Sequence, residues 1–179
     1  MCYNRVEKLR SLGHSFRCAF RGVGRCIWQE RNFRIHLTAA VFLFWLASCL
    51  PLTRGEWALL LLAVGLMLAA ELFNTSLEWL CDQFAPGWDK VSRRVKDLAA
   101  GAVLVCAVFC AAAGVALLWR PQALAAAAVQ VLESPARLAA VAAAGAAAAV
   151  FVWIGPAPLV RRARRLRTED RIKGKERNA

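Results

Sequence analysis

Histidine is scarce in this 179-residue chain, with only His14 and His36 present; tyrosine occurs once and methionine twice. So little imidazole leaves Ser-His-Asp catalysis and most zinc chemistry without their usual groups. None of the seven cysteines (Cys2, Cys18, Cys26, Cys49, Cys81, Cys106, Cys110) forms a Cys-x-x-Cys pair. Only Cys106 and Cys110 share a helical face, inside an apolar run. Such thiols read as small buried or lipid-facing hydrophobes in a reducing, cytoplasm-contacting setting, not as a metal site or a disulfide framework. There is no G-x-x-x-x-G-K-[ST] phosphate loop and no HRD or DFG set. Gly22-Val23-Gly24 is too short for a phosphate loop and follows no strand. The first apolar run lies behind many arginines and has no small-residue cleavage site, so no removable leader is expected. Acidic residues are in the minority, 12 against 24 Lys and Arg for a net charge of +12, so the place of each one matters.

Apolar side chains are abundant. They make up 59% of the chain, above the roughly 45–50% of soluble domains. They concentrate in runs at about 35–52, 57–81 and 98–119, each long enough, or nearly so, for the ~20 residues a membrane-spanning helix needs. Pro51 with Thr53-Arg54-Gly55 ends the first run, and Arg120-Pro121 ends the third. Trp45, Trp57, Trp79, Trp88 and Trp119 lie mostly near run ends, as interfacial anchors do. Residues 1–34 are basic, and Leu9, Leu12, Phe16, Phe20, Val23 and Ile27 recur at helical steps, the pattern of an amphipathic helix on a membrane surface. Between Gln122 and Val150, 15 of 29 residues are alanine. Pro121 and Pro135 bracket a short helix there, and residues 136–154 form a candidate fourth span. The expected fold class is therefore all-α: an integral membrane helical bundle with an N-terminal amphipathic surface helix and three core transmembrane helices plus a fourth. Its regions are 1–34, 35–120, 121–159 and a basic tail at 160–179.

The charge map orients the bundle. Lys and Arg number eight before the first span, one (Arg54) after it, four after the second, two after the third and nine in the tail. Rich and poor segments alternate, so four spans with both termini in the cytoplasm satisfy the positive-inside rule; three spans would put the nine-charge tail outside.

The chemistry lies on the second span. Glu71, Asn74, Glu78 and Asp82 share one helical face, with Thr75 beside them. Counting back from Asp82, Glu71 sits about 16 Å along the helix at ~1.5 Å per residue. A charged, unpaired carboxylate at that depth costs several kcal/mol, which marks the stripe as functional. Glu30 stands alone in a basic segment where the chain enters the membrane. It suits either a salt bridge to Arg31 or Arg34 or a place in the site. The segment Gly87-Trp88-Asp89-Lys90 to Lys96-Asp97 joins acids and cations at the cytoplasmic boundary, a mixture that suits a divalent cation and a polyphosphate.

Four stretches carry a resemblance. Arg17-Cys18-Ala19-Phe20-Arg21-Gly22, Glu30-Arg31-Asn32-Phe33-Arg34-Ile35-His36, Glu71-Leu72-Phe73-Asn74-Thr75-Ser76-Leu77-Glu78 and Lys96-Asp97-Leu98-Ala99-Ala100-Gly101-Ala102-Val103 resemble the small prokaryotic lipid kinases of the diacylglycerol kinase/undecaprenol kinase family, nearer the undecaprenol kinase branch. The resemblance covers roughly residues 13–120. It implies a homotrimer in the bacterial inner membrane with shared active sites, which transfers the γ-phosphoryl of ATP, with Mg²⁺, to a lipid alcohol. Carried over by position, it makes Glu71 the general base and Asn74 its companion, with Glu30 and Glu78 holding the metal. Cys18, Glu30, Glu78, Gly87, Trp88, Asp89, Lys96 and Asp97 would then contact ATP. Phe16, Arg21, Arg25, Asn32, Phe33, Arg34, His36 and Glu71 would lie along the lipid. Cys18 stands where the family often has tyrosine, and Ser11 where some members have arginine. Residues 121–179 have no counterpart in the family core.

Two other functions fit the stripe alone: a proton- or cation-conducting protein, and a catalytically inactive scaffold. The Lys96-Asp97 segment and the lack of matching acids in the other spans speak against the first. The intact acidic set speaks against the second. The basic tail is expected to bind anionic lipid headgroups rather than nucleic acid.

Overall fold

The computed structural model describes residues 5–84 and 89–156, with side chains from Leu12 onward. The described residues form six helices: α1 (Arg5–Gln29), α2 (Arg31–Ser48), α3 (Arg54–Phe84), α4 (Lys90–Leu118), α5 (Pro121–Leu132) and α6 (Pro135–Trp153).

Local chemistry sets each boundary. A single extended residue, Glu30 (φ −99°, ψ 114°), separates α1 from α2, so the break falls ahead of the expected boundary at residue 34. The backbone stays bonded across it: Glu30 N–H donates to the Cys26 carbonyl at 2.8 Å, and Arg34 N–H donates to the Glu30 carbonyl at 3.3 Å. Thr53 and Glu56 open α3 with a reciprocal cap. Thr53 N and Oγ1 donate to Glu56 Oε2 at 2.7 and 2.8 Å, and Glu56 N donates to Thr53 Oγ1 at 3.3 Å. Asp89 caps α4 by accepting from Ser92 N at 2.9 Å. Prolines open α5 and α6, where a missing N–H costs nothing. Past α6, Gly155 takes φ 68° and donates its N–H to the Phe151 carbonyl at 3.1 Å, closing the helix with a left-handed residue.

At ~1.5 Å per residue, α3 and α4 are about 46 and 44 Å long, more than the ~30 Å hydrocarbon core. They pair antiparallel along their length and make the most extensive packing in the molecule. Cys110 Sγ donates to the Ala63 carbonyl near one end, and Lys96 pairs with Asp82 at the other. α2 packs on α3, and α6 on α2 and α5, while α1 crosses α2 and α3. The protein is an all-helical membrane protein: α3, α4 and α6 are long and apolar enough to cross a bilayer. The expected fourth span is thus a helix of sufficient length and apolarity. α2, the first expected span, falls short of that measure because Arg31, Asn32 and Arg34 occupy its first turn.

The tightest apolar packing lies at the end of the bundle remote from the acidic stripe, where Ala47, Leu50, Leu60 and Leu118 are buried together. Phe44 stacks on Trp57 beside them, ring centroids 6.4 Å apart. Arg120 closes this end, donating to the Pro51 carbonyl at 2.8 Å and pairing with Glu56. Elsewhere the long helices turn large apolar side chains outward, among them Leu62, Phe73, Leu104 and Phe109. Within a bilayer such a surface meets lipid, and every helical backbone group beneath it is already bonded.

Leu60 is 1% exposed at the centre of this packing. Leu60→Ala should lower unfolding stability in detergent by about 2 kcal/mol, because the void leaves its neighbours without contact atoms. A detergent unfolding titration reads this directly.

Candidate active site

α3 carries its acids through successive turns of one face, and burial grades along them. Glu71 is 2% exposed, Asn74 and Thr75 are buried, and Glu78 is half-buried. Asn74 Nδ2 donates to Glu78 Oε1 at 2.8 Å. That bond holds the carboxylate against its own helix and orients the amide. Asn74 Oδ1 is left buried without a hydrogen-bond partner. A buried orphan acceptor is costly, and a bound cation or donor would relieve it. Neither ion pair among the described residues involves Glu71.

The α1–α2 break delivers Glu30 to this face. Trp79, the residue after Glu78, donates its indole N–H to Glu30 Oε1 at 3.3 Å. Cys26, one helical turn before Glu30, is buried beside Thr75. Burial pushes the Cys26 thiol above its ordinary range; the hydrogen bond with Thr75 opposes the rise, and the charges of Glu30 and Glu71 add to it. Cys26 thus lies within electrostatic reach of acids from both helices. Sequence reasoning missed Cys26 and Trp79. The step of four from Cys26 to Glu30 was a usable signal for the first. Nothing in the spacing marked Trp79, since its indole lies off the stripe.

Other expected site residues fall elsewhere. Lys96 pairs with Asp82 at the end of α3, and Asp97 is exposed. Asp89 spends one carboxylate oxygen on the α4 cap. Gly87 and Trp88 lie outside the described residues. Phe16, Cys18, Arg21, Arg25 and Asn32 are exposed, and Arg21 donates to Cys18 Sγ at 3.0 Å on the surface of α1. Phe33 is buried, and His36 is half-buried. Arg34 is 6% exposed and turned to backbone. Its Nε and Nη2 each donate to the Val152 carbonyl at 3.2 Å, and its Nη1 donates to the carbonyls of Ile27 and Trp28 at 3.2 and 3.4 Å.

Beside the stripe runs an apolar cleft of about 510 Å³ between α2, α3 and α4, lined by His36, Ala40, Leu43, Leu60, Met67, Cys110 and Gly114 among others. Met67 stands one turn before Glu71, so the lining of the cleft along α3 stops about one turn short of the buried carboxyl. No group of three or more His, Cys, Asp or Glu side chains among the described residues is placed to hold a metal ion alone.

A buried carboxyl in an apolar helical bundle, with half-buried acids beside it and the Lys96–Asp82 ion pair at one end, defines a membrane protein with a polar site inside its own spans. The prokaryotic diacylglycerol kinase family model matches residues 17–118, which include every element of that site, and the chain belongs to this family. Three curated relatives are similar. A diacylglycerol kinase of Synechocystis sp. is 38% identical over 60% of this chain and 62% of its own length. An undecaprenol kinase of Bacillus subtilis is 36% identical over 50% of this chain and 76% of its own. A diacylglycerol kinase of Helicobacter pylori is 34% identical over 48% of this chain and 67% of its own.

Burial separates the two cysteines of α1. With thiol reagents at neutral pH, exposed Cys18 should label at least about tenfold faster than Cys26, which is shielded and whose thiol burial keeps protonated. Mass spectrometry of the labelled protein measures the ratio.

Proposed function

We propose that this chain is an ATP-dependent lipid kinase, moving the γ-phosphoryl group of ATP to the hydroxyl of a membrane lipid, undecaprenol or diacylglycerol. The observation that carries the reading is Glu71: a fully buried carboxyl one turn above an apolar cleft, on a family-matched helix. A lipid chain lying in that cleft would bring its terminal hydroxyl to Glu71. The names of the relatives support a lipid alcohol as acceptor and divide between the two alcohols.

Chemically, Glu71 takes the proton of the lipid hydroxyl as its oxygen bonds to the γ-phosphorus. The bond from that phosphorus to the β–γ bridging oxygen breaks, and ADP leaves. Asn74 holds Glu78 in place, and Trp79 holds Glu30. Glu30 and Glu78 would hold Mg²⁺. Two carboxylates suit an ion that binds through one or two protein acids plus phosphate oxygens, and Asn74, bonded to Glu78 through Nδ2, keeps a buried Oδ1 without a partner. When bound, Mg²⁺ offsets the charge on the transferring phosphoryl group. Lys96, Asp97, Asp89, Gly87 and Trp88 would meet the nucleotide at the water-facing end, with Cys18 added from α1. Arg21, Arg25, Phe16, Asn32, Phe33 and His36 would flank the lipid, whereas Arg34 has its donors on backbone carbonyls.

The same reading includes a homotrimer in the bacterial inner membrane with both termini in the cytoplasm. The charge alternation supports the topology. So does the docking of the α6 C-terminal turn on the α1–α2 junction, which puts the last turn of α6 at the end where Glu30 lies. The basic tail would add binding to anionic headgroups, at about 1 kcal/mol per Lys or Arg near the surface.

Purified protein in mixed micelles with labelled ATP, Mg²⁺ and either lipid tests this. Glu71→Gln should cut phosphate transfer by roughly 10²- to 10⁴-fold while nucleotide binding holds. A fully active Glu71→Gln would remove the base assignment, and no transfer to either lipid would remove the kinase reading. Deleting residues 160–179 should weaken binding to anionic vesicles and leave neutral vesicles unaffected.

A further inference from the structure

Residues beyond 118 lie outside the family-matched segment, yet α6 reaches back to the candidate site. The link is Arg34. A guanidinium this deeply buried is tolerated only when its donors are met. It has no carboxylate partner among the described residues. It bonds instead to carbonyls in the last turns of two helices, Ile27 and Trp28 of α1 and Val152 of α6. Those carbonyls have few or no partners within their own helices and sit at the negative end of each helix dipole, so one planar cation satisfies both ends at once.

Two further contacts fit α6 to this role. Arg31 lies over the Trp153 ring at 5.2 Å from its centroid. Gly155, at φ 68°, leaves room for the guanidinium: a Cβ there would stand 3.0 Å from Arg34 Cζ. Between the two helix ends tied by Arg34 and the start of α2 stands one residue, Glu30, whose two backbone dihedrals set the angle between α1 and α2 and the direction of its carboxylate.

We propose that α6 is a positioning element of the site: its last turn holds Arg34, and Arg34, by tying the end of α1, fixes the one-residue hinge that aims Glu30 at the acids of α3. This rests on the lipid-kinase reading for its catalytic consequence, while the mechanical coupling stands apart from it. The extension is then part of the catalytic frame, not an appendage. Val152, Trp153 and Gly155 touch no reacting group and act only through Arg34 and Arg31.

Gly155→Ala in the full chain tests the coupling, since it both crowds Arg34 and strains the backbone. Trp153→Ala tests it without backbone strain. Three readouts apply: hydrogen exchange of amides 27–34, Mn²⁺ binding in the presence of nucleotide by electron paramagnetic resonance, and the Mg²⁺ dependence of lipid phosphorylation. Both variants should speed exchange at 27–34 with α3 and α4 unchanged. Both should weaken Mn²⁺ binding and raise the half-maximal Mg²⁺ by about tenfold, as loss of support behind a metal ligand does, with the rate at saturating Mg²⁺ nearly kept. Faster exchange with unchanged metal dependence would make α6 a mere prop and overturn the proposal. Unchanged exchange in both variants would overturn it too. Exchange that rises equally in α3 and α4 would mean general loosening, and would also count against it. If the unsubstituted chain phosphorylates neither lipid, the kinase reading fails instead, and exchange with Mn²⁺ binding still decides whether α6 aims Glu30.

Discussion

A carboxyl group inside a membrane-spanning helix has to be walled off from lipid, and much of this structure follows from that need. Glu71 sits on an otherwise apolar helix, where facing acyl chains would cost several kcal/mol. The helix pairing of α3 with α4 and the crossing of α1 provide the wall. α1 contributes Cys26, a small residue that lies against Thr75 without adding a charge of its own. The burial gradient from Glu71 to Glu78 then follows from helix geometry, since each turn toward the end of α3 brings the face nearer water.

The break at Glu30 is the second constraint. α1 and α2 are two helices, not one straight rod. The change of direction is taken up in a single extended residue, and that residue is an acid. Its carboxylate meets the Trp79 indole across the interface, so the bend and the site coincide. Arg34 holds the bend from behind by drawing on carbonyls that the ends of α1 and α6 expose. The two ends of the bundle are thus fastened differently. Arg34 collects backbone carbonyls at one, while Arg120, Glu56 and the Thr53 cap make a charged clasp at the other.

The family-matched segment and the extension differ in how they are held. The former packs through α3 and α4, with polar groups inside. In the latter, α5 and α6 are alanine-rich and bury no residue of their own. Small side chains let helices approach closely but bury little, and the hydrogen bonds and cation–π contact that α6 makes with α2 lie at its C-terminal end.

The helical class, the long apolar runs and the acidic stripe were all legible in the sequence, because hydropathy and a period of 3.6 are local properties of a chain. Charge density and amphipathic spacing extend the surface region to residue 34, whereas the helix breaks at Glu30, where one extended residue separates α1 from α2. Arg34 shows the limit most clearly. The family resemblance assigns it to the lipid, yet its donors are met by α1 and by a carbonyl 118 positions away. The sequence by itself determined which residues could carry chemistry and on which helical face they lie. Only the tertiary structure decided that Trp79 meets Glu30, that Cys26 borders both sets of acids and that α6 closes on Arg34, because these depend on which helices pack together, and packing between distant segments leaves no mark in local pattern.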